Sequence, residues 1–189
     1  MPPSPPKVEP ELHYIAPTPH VPNSKLPVLI YRGVLQGFDR ERILEHIQGN
    51  NWLKGGQWKT YKTAHFHSNT HECYAVLSGK STYSLGKSPI DADFSEEGHE
   101  NGMKLQVAQG DVFVLPAGIS HYSLDSEGDY EYIGFYPEGS PKWDMNYCKE
   151  TPEETRKKAV DCYNVPIPDT DPVYGDSGPL PVIWQDADR

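Results

Sequence analysis

The stretch Ala64–Gly79, AHFHSNTHECYAVLSG, gathers three histidines and a glutamate into one short run. His65 and His67 stand two apart, so on an extended strand both imidazoles point to one face. Ser68-Asn69-Thr70 is polar and turn-prone, which puts Glu72 at the start of a second strand with its carboxylate beside the two rings. Two nitrogens and an oxygen make a hard-to-borderline divalent-metal site that wants one more ligand. The segment Gly110–His121, GDVFVLPAGISH, supplies it. Gly110 permits a turn before an apolar strand, Pro116 and Gly118 turn the chain back, and His121 opens the next strand. Three histidines and a carboxylate leave about two positions of an octahedral ion for water, substrate or dioxygen. Ferrous iron or manganese(II) suits this set best, with nickel(II) and zinc(II) admissible.

The competing reading, a polar turn with solvent-facing histidines, does not explain why a later segment carries a fourth ligand. His71 directly precedes Glu72, and on a regular strand the two point to opposite faces and cannot both be ligands. Glu72 is the favoured ligand, with His71 in its place as the alternative, since strand parity need not hold at a turn end. His71 is expected beside the metal or against substrate, its structural alternative being a rim histidine bonded to a loop carbonyl. Tyr61, Tyr74 and Tyr136 are candidate proton donors or substrate contacts, although twelve tyrosines make ordinary barrel lining an equal reading. Tyr74 shares a face with Glu72 and Ser123 with His121; Cys73 faces away, as an apolar packer.

The elements that must hold these residues are mostly strands. Residues 1–25 include Pro2, Pro3, Pro5, Pro6, Pro10, Pro17, Pro19 and Pro22 and read as an extended or partly disordered arm. LPVLIYRGVL, residues 26–35, is a first strand. Residues 39–48 carry helix chemistry, with Asp39 as cap, Ile43, Leu44 and Ile47 on one side and Gly49 as stop; His46 lies among charged neighbours, at the surface. Lys54-Gly55-Gly56 marks a turn, and residues 58–67 alternate so that Lys59, Tyr61, Thr63, His65 and His67 share a face. Residues 72–78 and 81–85 read as a hairpin across Gly79-Lys80. A polar loop over 86–103, with a solvated His99, is long enough to cover a site. Further strands are expected at 104–108, 111–115, 121–124 and 130–136. Thr151-Pro152-Glu153-Glu154 opens a second helix with a capping box, and the chain beyond Val165 is proline-rich yet apolar enough to dock. The organisation is an arm (1–25), a barrel (26–137) and a C-terminal helix with a docked extended tail (138–189). Many short strands and only two helices indicate an all-β sandwich or barrel, not a parallel α/β fold.

With 189 residues and a net charge of −10, one domain is expected and binding to a phosphate backbone is not. Cys73, Cys148 and Cys162 are odd in number and lack CxxC spacing, which argues against a disulfide framework and for a reducing compartment. The N-terminus lacks an apolar signal core, and no run reaches the ~20 apolar residues of a membrane span. The expectation is a cytoplasmic protein with a small-molecule substrate, no nucleic-acid or membrane partner, and at most a second copy of itself in a homodimer.

The stretch from His65 resembles the first cupin motif: His65, one residue, His67, four residues, Glu72, six residues, Gly79. The stretch from Gly110 resembles the second: Gly110, five residues, Pro116, one residue, Gly118, two residues, His121. Lys59 replaces the glycine that opens the first motif in many cupins, and Asp125 the asparagine that often closes the second. Neither is a ligand position in the family, and the changes set the chain apart from the plant storage and germin branch. HFHSNTHE, PVLIYRG, GFYPEGSPKWD and DPVYGDSGPL with Trp184 are similar to the YjlB-like cupins of bacteria and fungi. The resemblance implies a single-domain jelly-roll barrel (double-stranded β-helix) with two short peripheral helices, binding a divalent metal.

The function expected is that of a metalloenzyme acting on a small organic molecule, as a dioxygenase or as a Lewis-acid isomerase, cyclase or decarboxylase. The aromatic-rich barrel leans toward a ring-containing or polyketide-like substrate. The alternative is a cupin that binds metal or small molecules without turnover. A storage role, which needs no complete ligand set, fits least.

Overall fold

In the computed structural model, residues 4–188 are described; Pro2 and Pro3 of the arm lie outside them. The strands are β1 (Glu11–Ile15), β2 (Ser24–Tyr31), β3 (Trp52–Trp58), β4 (Glu72–Leu85), β5 (Met103–Ala108), β6 (Val112–Leu115) and β7 (His121–Pro137). The helices are α1 (Arg40–Gly49), α2 (Pro152–Tyr163) and α3 (Leu180–Asp188). The strands form one antiparallel sheet in the order β1-β2-β6-β4-β7-β3, with β5 beside β4, curled into a half-barrel. The all-β jelly-roll expectation holds, with three helices in place of two.

β4 is the spine. Its first residues lie between β6 and β7, pairing Glu72 with Leu115 and Cys73 with Phe135. Its later residues lie between β5 and β7. Alternation along it separates two cores. Cys73 and Ala75 pack outward among residues of α1, α3 and β2, whereas Tyr74 and Val76 pack inward with Tyr83, Phe113 and Tyr132.

Several glycines do not turn the chain where a turn is expected. Gly79-Lys80 lies inside the continuous β4, where the register against β7 slips. Gly79 has φ +66, and a Cβ there would meet the Glu127 carbonyl oxygen at 2.3 Å, so the position is a bulge and not a hairpin. The two strands expected at 121–124 and 130–136 are likewise one, β7, bent where Gly128 and Asp129 take positive φ. Gly55-Gly56 lies within β3, because a Cβ on Gly55 would stand 2.2 Å from the Tyr136 ring. Gly55 and Gly56 make room for rings that line the cavity, Tyr136 and Trp58, whereas Gly79 and Gly128 make room for backbone.

Residues 11–16 of the arm contain no proline, and there the chain adds β1 to the sheet edge, pairing Glu11 with Ile30 and His13 with Val28. α1 is capped by Asp39, whose side chain accepts from the Arg42 amide at 2.9 Å. It runs through Gly49 and ends where Asn51 takes φ 63. His46 is not a free surface residue, since its Nε2 lies 2.6 Å from the Val173 oxygen. The α2 capping box forms as expected between Thr151 and Glu154.

The tail docks, but it ends in a helix. Asp171, fully buried, accepts from the amides of Val173, Tyr174 and Leu180 and from the Tyr31 hydroxyl, which ties the start of α3 to β2. Trp184 on α3 is 0% exposed and donates to the Pro27 oxygen at 3.0 Å. No helix among the described residues is long and apolar enough to cross a membrane. All three cysteines are free and buried, and burial pushes the Cys148 and Cys162 thiols up to about 12. Iodoacetamide at mildly alkaline pH is therefore expected to label none of them in the native protein and all of them in denaturant, as read by mass spectrometry.

Candidate metal centre

Residues 59–71 form no regular strand, yet the period of two survives where it matters. The His121 amide donates to the His65 oxygen at 2.9 Å, and the Gly118 amide to the His67 oxygen at 2.8 Å. Phe66 between them exchanges both backbone bonds with Asn146. Two bridges thus hold the segment extended, and both histidines point inward while Phe66 points away into a separate apolar cluster. Tyr61 also reaches the cavity. Thr63 lends only its carbonyl, and Lys59 pairs with Asp129 in solvent.

His65, His67 and His121 present ligand nitrogens that all lie within 4.8 Å of one another, and all three residues are buried. Each ring is anchored from behind. Nδ1 donates to Thr63 oxygen in His65 (2.8 Å), to Asp144 oxygen in His67 (2.5 Å) and to Ile119 oxygen in His121 (3.1 Å). With Nδ1 committed as donor, Nε2 is the atom that faces the cluster. Glu72 completes the group, its Oε2 3.0 Å from His67 Nε2 and 3.1 Å from His121 Nε2. Its other oxygen accepts from the Tyr136 hydroxyl at 2.5 Å.

The electrostatics call for a positive charge. Burial and the nearness of His121 push His65 down to about 3, so this ring stays neutral. Burial works to raise the Glu72 carboxyl, but His67 and His121 overcome it and hold the group well below the usual carboxylate range. His67 is the reverse case, where burial lowers its pKa and Glu72 more than offsets that. His121 Nε2, though near the carboxylate, has no hydrogen-bond partner. One divalent cation would satisfy the orphaned nitrogen and the remaining lone pairs together, so the donor set fits a metal.

Above the cluster lies a cavity of about 190 Å³. The ring centres of Tyr61 and His65 lie 5.1 Å apart in an edge-to-face arrangement, and those of Tyr74 and His121 lie 5.5 Å apart. Tyr136 stacks on Trp143 at 4.5 Å. A larger groove of about 570 Å³ between the N-terminal arm and α2 includes none of these residues. The 86–103 loop does not line the cavity; its Ser88 and Asp91 bind Cys148 and Thr18 elsewhere.

His71 is not brought to the cluster. Its Nδ1 accepts from the Ala117 amide at 3.0 Å, its Nε2 faces Pro166 oxygen at 3.2 Å, and its ring lies 4.7 Å from Trp184. Strand parity after the turn sends Glu72 in and His71 out, and burial lowers this histidine to about 4. It fastens the tail to the β6–β7 turn, in keeping with the loop-carbonyl alternative. His71→Ala is expected to cost on the order of 2 kcal/mol in urea unfolding, because the Ala117 amide loses its acceptor, and to leave metal content unchanged.

Asp144 escaped the sequence reading. Its carboxylate holds the 68–70 turn through the Ser68 amide (2.7 Å) and hydroxyl (2.5 Å), while its carbonyl anchors His67. Burial works to raise this carboxyl, and the bonds from Ser68 and Asn146 outweigh it. Its only trace in the sequence is its place at the end of GFYPEGSPKWD.

Residues 60–139 match the family model described as Cupin. Over 167 residues the chain is 28% identical to the uncharacterized protein YjlB of Bacillus subtilis (strain 168), covering 87% of this chain and 90% of that one. Similar solved structures include RmlC from Streptococcus suis in complex with dTDP-D-xylose, at 12% identity over 71% of this chain and 72% of that one, with a TM-score of 0.39. Procruciferin, the 11S globulin of Brassica napus, is 13% identical over 71% of this chain, TM-score 0.35, and the chain spans only 31% of its length. A cupin domain thus spans residues 60–139, over the strands that carry the site, and the chain is similar to YjlB along most of its length.

Proposed function

We propose that this cupin is a metal-dependent enzyme acting on a small organic molecule, with His65, His67, Glu72 and His121 as the ligands of a divalent ion, iron or manganese first. The observation that carries the reading is the orphaned His121 Nε2, facing a carboxylate beside two further imidazoles whose Nδ1 atoms are tied down. When bound, such an ion supplies Lewis acidity and open positions for substrate or dioxygen, which suits a dioxygenase or an isomerase, cyclase or decarboxylase.

The protein's own groups do the positioning. The carbonyls of Thr63, Asp144 and Ile119 fix the ring orientations, and Tyr136 holds Glu72 so that one carboxylate oxygen stays with the histidines. Tyr61 and Tyr74 stand at the cavity as substrate contacts or proton carriers. Tyr136→Phe is expected to weaken metal affinity about 10–100-fold, since the group orienting a ligand is lost; competition with a chelator measures it. The reading itself is tested by elemental analysis of the purified protein, followed by oxygen-uptake and product assays with aromatic and 1,3-dicarbonyl compounds. Absence of turnover by every metal-reconstituted form would leave the non-catalytic binding alternative.

A further inference from the structure

The cavity above the cluster has walls of one kind. Trp58, Tyr61, Tyr132, Tyr136, Trp143 and Met145 line it around His65, His67 and Glu72. Among the described residues no lysine or arginine lines it; Lys142 lies near, but with its Nζ 5.7 Å from the centre of the Trp143 ring. A ligand carrying a carboxylate or phosphate arm would bury that charge against indole and phenol rings with no cation opposite, which is costly. With no lysine or arginine among the described residues that line the cavity, the proposed metal is left as the cation for a ligand.

Size narrows the ligand further. The hollow measures about 190 Å³, and an engineered apolar cavity of ~150 Å³ in another protein admits one benzene ring. One six-membered ring therefore fills most of the space, and a fused second ring exceeds it. The polar groups left over are few. The Tyr136 hydroxyl is given to Glu72, whereas the half-buried Tyr61 hydroxyl makes no hydrogen bond among the described residues. Four protein ligands would leave about two positions of an octahedral ion for the molecule's oxygen atoms.

We infer that the site takes a planar, single-ring molecule that chelates the metal through two neighbouring oxygen atoms and carries no further anionic group, with Tyr61 as its polar contact at the mouth. This rests on the metal reading given above. The walls set the specificity: aromatic faces accept the flat ring, and the absence of a cation rejects acids.

The test uses the full chain loaded with cobalt(II), whose visible absorption changes when a ligand enters its coordination sphere, with cobalt content read separately by elemental analysis. Catechol is expected to bind about tenfold or more tightly than 3,4-dihydroxybenzoate, 2,3-dihydroxynaphthalene or oxalate. Met145→Lys, which places a cation on the wall, is expected to shift preference toward the dihydroxybenzoate by about tenfold. Tyr61→Phe is expected to weaken catechol while cobalt content stays unchanged. Equal or tighter binding of any of the three competitors, or no response to catechol, overturns the ligand assignment and leaves the metal centre standing. A chain that takes up no cobalt overturns both. The ligand series on the unsubstituted protein decides the matter even where a variant fails to fold.

Discussion

Replacing His67 or His121 by alanine is expected to abolish binding of the proposed divalent metal. Both side chains carry an Nε2 close to Glu72 Oε2, at 3.0 and 3.1 Å, so either substitution removes a nitrogen and leaves the carboxylate facing a hollow. The remaining donors are then too few to hold an ion against dilution and chelators. Elemental analysis of the purified variants, with circular dichroism as a check on folding, reads the outcome. Stoichiometric metal unchanged in the double variant would place the metal elsewhere. Loss in His67→Ala also releases the Asp144 carbonyl, so the 68–70 turn is expected to loosen. His121→Ala, whose anchor is local at Ile119, is the cleaner probe.

Trp184→Ala will destabilise the fold by about 3–5 kcal/mol, the range for deleting a large buried aromatic side chain. Trp184 is fully enclosed, its indole N–H is bonded to Pro27 in β2, and its ring lies against His71, the neighbour of Glu72 in the chain. For a domain whose whole stability is about 5–15 kcal/mol, that loss is severe. It corresponds to a fall of roughly 6–20 °C in Tm at this chain length. Urea unfolding measures it, and Trp184→Phe should recover most of the packing while still losing the bond to Pro27. A change below about 1 kcal/mol would mean that α3 is not fastened to the sheet as described.

Spacing alone makes the site legible. A period of two put His65, His67 and Tyr61 on one side, and the second motif delivered His121. Those inferences depend only on extended chain, and extended chain is present even though residues 59–71 form no regular strand. Glu72 and His71 point to opposite faces, as adjacent residues entering a strand do: Glu72 goes in and His71 goes out. What parity could not supply was a destination for His71, because Ala117, Pro166 and Trp184 come from distant parts of the chain.

The glycines show the opposite case. Gly55, Gly79 and Gly128 look like turn punctuation, yet each lies within a strand. A missing Cβ serves a turn, a bulge or a close approach equally well, and which of these applies depends on whether Tyr136 or the Glu127 carbonyl occupies the space. α3 was hidden for a related reason. Its prolines lie around its first turn, where they are tolerated, and its stability comes from burying Leu180 and Trp184, which local propensity does not report.

The sequence by itself determined which residues converge, His65, His67, Glu72 and His121, and the antiparallel barrel that presents them, because both are written in short-range spacing and alternation. Only the tertiary structure decided what stands behind and above that set: Asp144 and Tyr136 as its anchors, His71 as a fastener of the tail, and a small aromatic cavity without a cation. Those features arise from contacts between segments tens of residues apart, and no local pattern encodes which of them will meet.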